Sequence, residues 1–116
     1  LERLIENYSF GTIIVDGETY HHDVILYPDK IEINWIRQES HSLVPEDIAE
    51  IISYQPEILI VGTGAYGVLQ VPSTTVAMLK RQHIRLIAEP TARACEIFNE
   101  YVSKGQKVVG AFHLTC

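Results

Sequence analysis

The sequence predicts one α/β domain over residues 1–116, arranged in three layers: a central mixed sheet, flanking helices and an additional N-terminal β-hairpin. Three observations carry this. The first third of the chain reads as short strands, and the last two thirds alternate helix, strand, helix, strand, helix, strand. The run Ile58-Leu59-Ile60-Val61 is continuously apolar, as expected for a strand covered on both faces. A length of 116 residues suits a single core, and 47% hydrophobic with 21% charged residues supplies both interior and polar surface.

Thr12 to Val15 is rich in β-branched residues, and Asp16-Gly17 tolerates the positive φ of a tight hairpin, so Glu18 to Tyr20 should return antiparallel. Val24 to Tyr27 is a further apolar run, closed by Pro28-Asp29. Ile31, Ile33 and Trp35 then alternate with Glu32 and Asn34, which predicts a strand with one buried face.

Pro45 suits a first helical turn, and Glu46 and Asp47 stand where the helix dipole favours negative charge. Ile48, Ile51 and Ile52 give that helix its apolar stripe. After the strand ending at Gly62 comes a glycine-rich loop, and Pro72-Ser73 starts a helix with Val76, Leu79 and His83 on its inner face. A strand follows over Arg85 to Ala88. Thr91 is the expected cap of the next helix, which should pack through Ala94, Cys95, Phe98, Tyr101 and Val102 while Arg93, Glu96, Glu100 and Lys104 face water. Gly105 is its stop, and Val108 to Phe112 is the last strand.

The formal charge of −6 repels a phosphate backbone, so nucleic acid is not expected as a partner. Lys80, Arg81, His83 and Arg85 read as a solvated helix end. Cys95 and Cys116 form neither a zinc motif nor a disulfide framework, and no apolar run is long enough for a membrane span. The expected location is the cytoplasm, or the mitochondrion if a targeting segment precedes Leu1.

Gly62-Thr63-Gly64-Ala65-Tyr66-Gly67 matches GxGxxG after a strand, but Val68 to Val71 and Pro72 separate it from the next helix, and no acidic ribose contact follows at the usual distance. A dinucleotide is therefore not expected, nor any other cofactor. His21 and His22 would point to opposite faces of a strand and share no ligand spacing with His41, His83 or His113, so no metal is expected. No GxSxG elbow or other complete catalytic constellation is present, and no catalytic residue is assigned.

Several segments taken in order resemble a known family: Tyr8-Ser9-Phe10-Gly11 with Val15-Asp16-Gly17, then Val61-Gly62-Thr63-Gly64, then Thr91-Ala92-Arg93-Ala94-Cys95 with Phe98-Asn99. The resemblance is to the Mth-type domain family of unknown function that includes an adipogenesis-associated protein and a mitochondrial complex I assembly factor. It spans nearly the whole chain and implies a mixed sheet with packed helices, no established activity, and roles in assembly and regulation. The chain departs from the family pattern at Pro90, where an Asp is usual, and at Glu96, Phe98 and Lys104-Gly105-Gln106.

The expected function is a non-enzymatic interaction or assembly-type domain with an unidentified protein partner; its oligomeric state is open. The alternative is a small anionic-ligand-binding protein or enzyme. Its site would be a crevice between Gly62, Thr63 and Gly64 and the helix start at Thr91, with Arg93 assisting.

Overall fold

The computed structural model describes residues 4–116. Strands β1 (Ile5–Ser9), β2 (Thr12–Val15) and β3 (Glu18–Tyr20) form an antiparallel meander in the order β1-β2-β3. Asp16 (φ 51°) and Gly17 (φ 83°) both adopt left-handed backbone, as the hairpin required. The hairpin becomes a three-stranded sheet because β1 pairs with β2. β1 escapes a period-two reading: only Ile5 is fully buried, and the register shifts between Ile5 and Asn7.

The second sheet has five strands, β4 (Val24–Leu26), β5 (Ile31–Glu32), β6 (Ile58–Thr63), β7 (Arg85–Glu89) and β8 (Val108–His113), in the order β5-β4-β8-β6-β7. β6 runs parallel to both β7 and β8, whereas β4 is antiparallel to β8 and to β5. Every residue of β6 and β8 is buried, in keeping with the apolar run at Ile58. The strand expected over Ile31 to Trp35 is cut to two residues. Asn34 turns left-handed (φ 55°), which destroys the alternation and leaves Ile33 54% exposed, while Trp35 is buried with its N–H on the Asp23 carbonyl at 2.8 Å.

The pleat of this sheet sorts its side chains into two cores. Ile25, Tyr27, Leu59, Val61, Val109 and Ala111 face a layer containing a 3-10 turn (Pro45–Ile48), α1 (Ala49–Tyr54) and α2 (Ser73–Arg81), with Trp35 and Leu43. Val24, Leu26, Ile58, Ile60, Val108 and Phe112 face α3 (Thr91–Ser103) together with Ile5, Ile13 and Val15 of the meander. The Asn99 side chain docks β1 on α3: its amide donates to the Ile5 carbonyl at 2.7 Å and its oxygen accepts the Ile5 N–H at 2.8 Å.

Two helix faces differ from expectation. On α2 the buried residues are Thr75 and Leu79, spaced i and i+4 on one stripe, and the Thr75 hydroxyl donates to the Leu43 carbonyl at 2.7 Å. Val76 is 39% exposed, and His83 lies beyond the helix in left-handed backbone (φ 60°). On α3, Ile97 joins Ala94, Cys95 and Phe98 in the core, while Tyr101 and Val102 are half-buried. Gly105 (φ 79°) ends α3 as expected: its N–H reaches the Val102 carbonyl and that of Gln106 reaches Tyr101, which satisfies the last turn.

Candidate functional site

The carboxyl ends of β6 and β8 lie side by side, with Thr63 paired to His113. Gly62, Thr63, Gly64 and Thr91 meet there, but Arg93 turns away, exposed and paired with Glu96 at 3.1 Å. Thr91 does not cap α3. Pro90 holds the cap position, and the Thr91 hydroxyl instead accepts the Gly64 N–H at 2.8 Å and donates to the His113 carbonyl at 2.6 Å. One buried hydroxyl thus ties the loop after β6, the start of α3 and the end of β8.

Residues 114–116 occupy the rest of the crevice. The Thr115 carbonyl accepts the Ala65 N–H at 2.6 Å, the Cys116 carbonyl accepts that of Val68 at 3.2 Å, and the Gly64 carbonyl accepts those of Gly67 and Thr91. The N–H groups of Gly64, Ala65, Gly67 and Val68 in the loop are therefore bonded within the chain. Gly64 (φ 101°) is required for this closure, since a Cβ there would lie 2.5 Å from the Cys116 carbonyl oxygen.

On the α2 side of the same edge sits a buried polar cluster that sequence reasoning did not find. Asp23 precedes β4, whose pairing of Val24 with Phe112 brings Asp23 next to His113. Its Oδ2 accepts from Arg37 at 2.9 Å and lies 2.8 Å from His113 Nδ1; its Oδ1 accepts the Leu114 N–H at 2.8 Å. Side-chain exposures of 5%, 15% and 7% for Arg37, Asp23 and His113 make this a nearly dry ion pair with an imidazole wedged against it. Burial pushes the Asp23 carboxyl up, but hydrogen bonds from His113, Leu114 and Arg37 outweigh it and hold the group below its usual range.

Arg37 also donates to the Ser40 carbonyl and stacks over Trp35, its central carbon 4.7 Å from the ring centre. A second Arg37 nitrogen lies 3.1 Å from His113 Nδ1. Nδ1 either donates to Asp23 or accepts from Arg37, so the two contacts define two alternative tautomeric arrangements. In both, His113 Nε2 is buried with no partner among the described residues. The Asp–His pair has the form of an oriented base, but the burial of Nε2 keeps a substrate from it. No sequence motif marks the cluster, because residues 23, 37 and 113 meet only through strand pairing and a loop.

Beside Asp23 opens a groove of about 620 Å³ whose wall includes His21, His22, Ile36 and Thr115. Ile36 is 85% exposed. Past Thr115, the β1–β2 turn presents Phe10, 57% exposed, and the glycine loop presents Tyr66, 76% exposed, with ring centres 6.2 Å apart. The turn is fixed from below: the Leu114 carbonyl accepts from Gly11 N–H at 2.9 Å and from the Tyr8 hydroxyl at 2.8 Å. Away from this edge, Cys95 is buried in the core, and burial, with a smaller push from Glu96, raises its thiol to about 12, an inert position for a cysteine.

A family profile described as protein of unknown function (DUF498/DUF598) matches residues 5–113. Among solved structures, a conserved hypothetical protein from Pyrococcus horikoshii is 28% identical, with 97% of this chain and 98% of that one covered and a TM-score of 0.82. An outer membrane protein from Bartonella henselae is 21% identical (99% and 97% covered, TM-score 0.84), and a Mth938-like domain from Bordetella pertussis is 21% identical (97% and 85% covered, TM-score 0.70). These last two share the fold. Among the described residues, no helix of the present chain is long and apolar enough to cross a membrane.

Proposed function

The chain belongs to the family of proteins of unknown function (DUF498/DUF598), and from that premise we propose that it is a non-enzymatic interaction or assembly-type domain that docks a protein partner at the Phe10–Tyr66 end. The carrying observation is the exposed aromatic pair. Two tight turns hold Phe10 and Tyr66 in mutual contact in water, although both faces of the five-stranded sheet are already covered. Aromatic anchors of this kind supply much of the binding energy in protein interfaces, and the adjoining groove with Ile36 offers space for an apolar side chain of the partner. Sequence resemblance to the adipogenesis-associated protein and the complex I assembly factor supports an assembly role. A cytoplasmic or mitochondrial setting belongs to the same proposal.

The test compares the wild-type chain with a Phe10→Ser, Tyr66→Ser double variant as baits in native extract. The expected result is a partner retained by the wild type and lost by the variant, with unchanged circular dichroism. Identical recoveries from both baits would overturn the assignment. An anion at the alternative site of Gly62, Thr63, Gly64, Thr91 and Arg93 would compete with internal bonds, since Thr91 holds the Gly64 N–H and Thr115 and Cys116 hold those of Ala65 and Val68.

A further inference from the structure

We infer that the open edge of β7 pairs antiparallel with β7 of a second copy of this chain, giving a two-fold dimer with one continuous ten-stranded sheet. β7 is the last strand of the five-stranded sheet and, among the described residues, pairs only with β6. The Arg85 N–H bonds to the Glu57 carbonyl, so the alternation of the ladder turns the N–H and C=O groups of Leu86 and Ala88 outward. Such an edge is a template for another strand.

The strand reads Arg85-Leu86-Ile87-Ala88-Glu89, and that order is self-complementary. With a two-fold axis at Ile87, Leu86 of one copy exchanges both backbone hydrogen bonds with Ala88 of the other, using the outward groups. Arg85 then stands opposite Glu89 on the same face at each end, and the small Ala88, exposed in the single chain, leaves room for Leu86 of the partner. A parallel pairing in register would set like charges side by side, so the charges also select the direction.

Beside the edge, Val76, Leu79, Ile84 and Leu86, with Lys80 and Arg85, line an open groove of about 320 Å³ between α2 and β7. Val76 is the residue the sequence assigned to the core and the fold leaves 39% exposed, and a second copy's α2 would cover it. Five-residue edges bury little area, so these flanking apolar atoms are needed to approach the roughly 1,000 Å² of a specific interface. A net charge of −6 per chain opposes association but is screened beyond about 8 Å at physiological salt. The dimer is therefore weak and concentration-dependent.

Sedimentation velocity of the full chain over a range of concentrations tests this. The expected result is a monomer–dimer equilibrium, with slower amide exchange at Leu86 and Ala88 as concentration rises. Arg85→Glu or Glu89→Arg alone should weaken it about tenfold or more, because two attractive pairs become two repulsive ones. Mixing the two variants should restore association as a heterodimer: one chain then carries carboxylates at both ends of the strand and the other guanidinium groups. A wild type that stays monomeric with unchanged exchange at both amides overturns the inference, as do single variants that dimerise like the wild type. None of these substitutions touches Phe10 or Tyr66, so failure here is separate from failure of the docking proposal.

Discussion

At the scale of single residues, Asp23 is the acceptor that joins three segments of the chain. It satisfies Arg37, His113 and the Leu114 N–H at once, and through Arg37 it anchors the loop that carries Ser40. Asp23→Asn should lower stability by about 3–5 kcal/mol, since it leaves the Arg37 guanidinium buried beside a neutral group. The pH dependence has a definite sign. The folded carboxyl titrates below its unfolded value of about 3.9, so its contribution is complete above that pH and is lost as pH falls through the lower folded value. Urea unfolding from pH 6 downward should show a flatter acid limb for Asp23→Asn than for the wild type; parallel limbs would remove Asp23 from the acid response.

At the scale of elements, Thr91 joins three pieces of backbone that propensity alone cannot join. A threonine before a helix reads as a cap, but with Pro90 in the cap position its hydroxyl is free to bridge Gly64 and His113. Gly62 makes room for it, since a Cβ there would lie 2.8 Å from the Thr91 oxygen. Thr91→Val keeps the shape and removes the bridge, leaving a buried N–H and carbonyl unpaired at a cost of about 1–3 kcal/mol, whereas Thr91→Ser should keep most of the stability. Chemical denaturation measures both. A phosphate titration followed by the amide resonances of Gly64, Ala65 and Val68 belongs beside it: with those groups bonded internally the wild type should show no saturable shift, and a saturable one would favour the anionic-ligand alternative.

At the scale of the whole molecule, the meander is an annex held on the α3 side of the main sheet by the contacts of Ile5, Ile13 and Val15 and by the paired hydrogen bonds of Asn99. Asn99→Ala should loosen the annex without dissolving the five-stranded sheet. Amide exchange should rise across β1 to β3, while β6 and β8, buried at every residue, keep their protection. Equal loss in both sheets would mean that they unfold as one unit. The annex matters for function because its first turn presents Phe10, so docking at that end depends on its seating.

The sequence by itself determined the alternating helices and strands, the buried β6, the Asp16-Gly17 hairpin and the end of α3 at Gly105. Each of these rests on local chemistry: a continuous apolar run, positive φ, a helix stop. It also set Gly62 and Gly64 beside Thr91, because parallel strands end together, but not Arg93, which turns to Glu96. Tertiary structure alone decided what lies against the glycine loop, since Thr115 and Cys116 come back over it and accept the Ala65 and Val68 N–H groups. It decided the Asp23–Arg37–His113 cluster as well, whose members are up to 90 positions apart and meet through the antiparallel register of β4 on β8. It decided too which face of α2 turns inward, choosing Thr75 over Val76 because the Leu43 carbonyl needed a donor. Periodicity records how a residue relates to its own element; a buried hydrogen bond between distant segments has no periodicity to record.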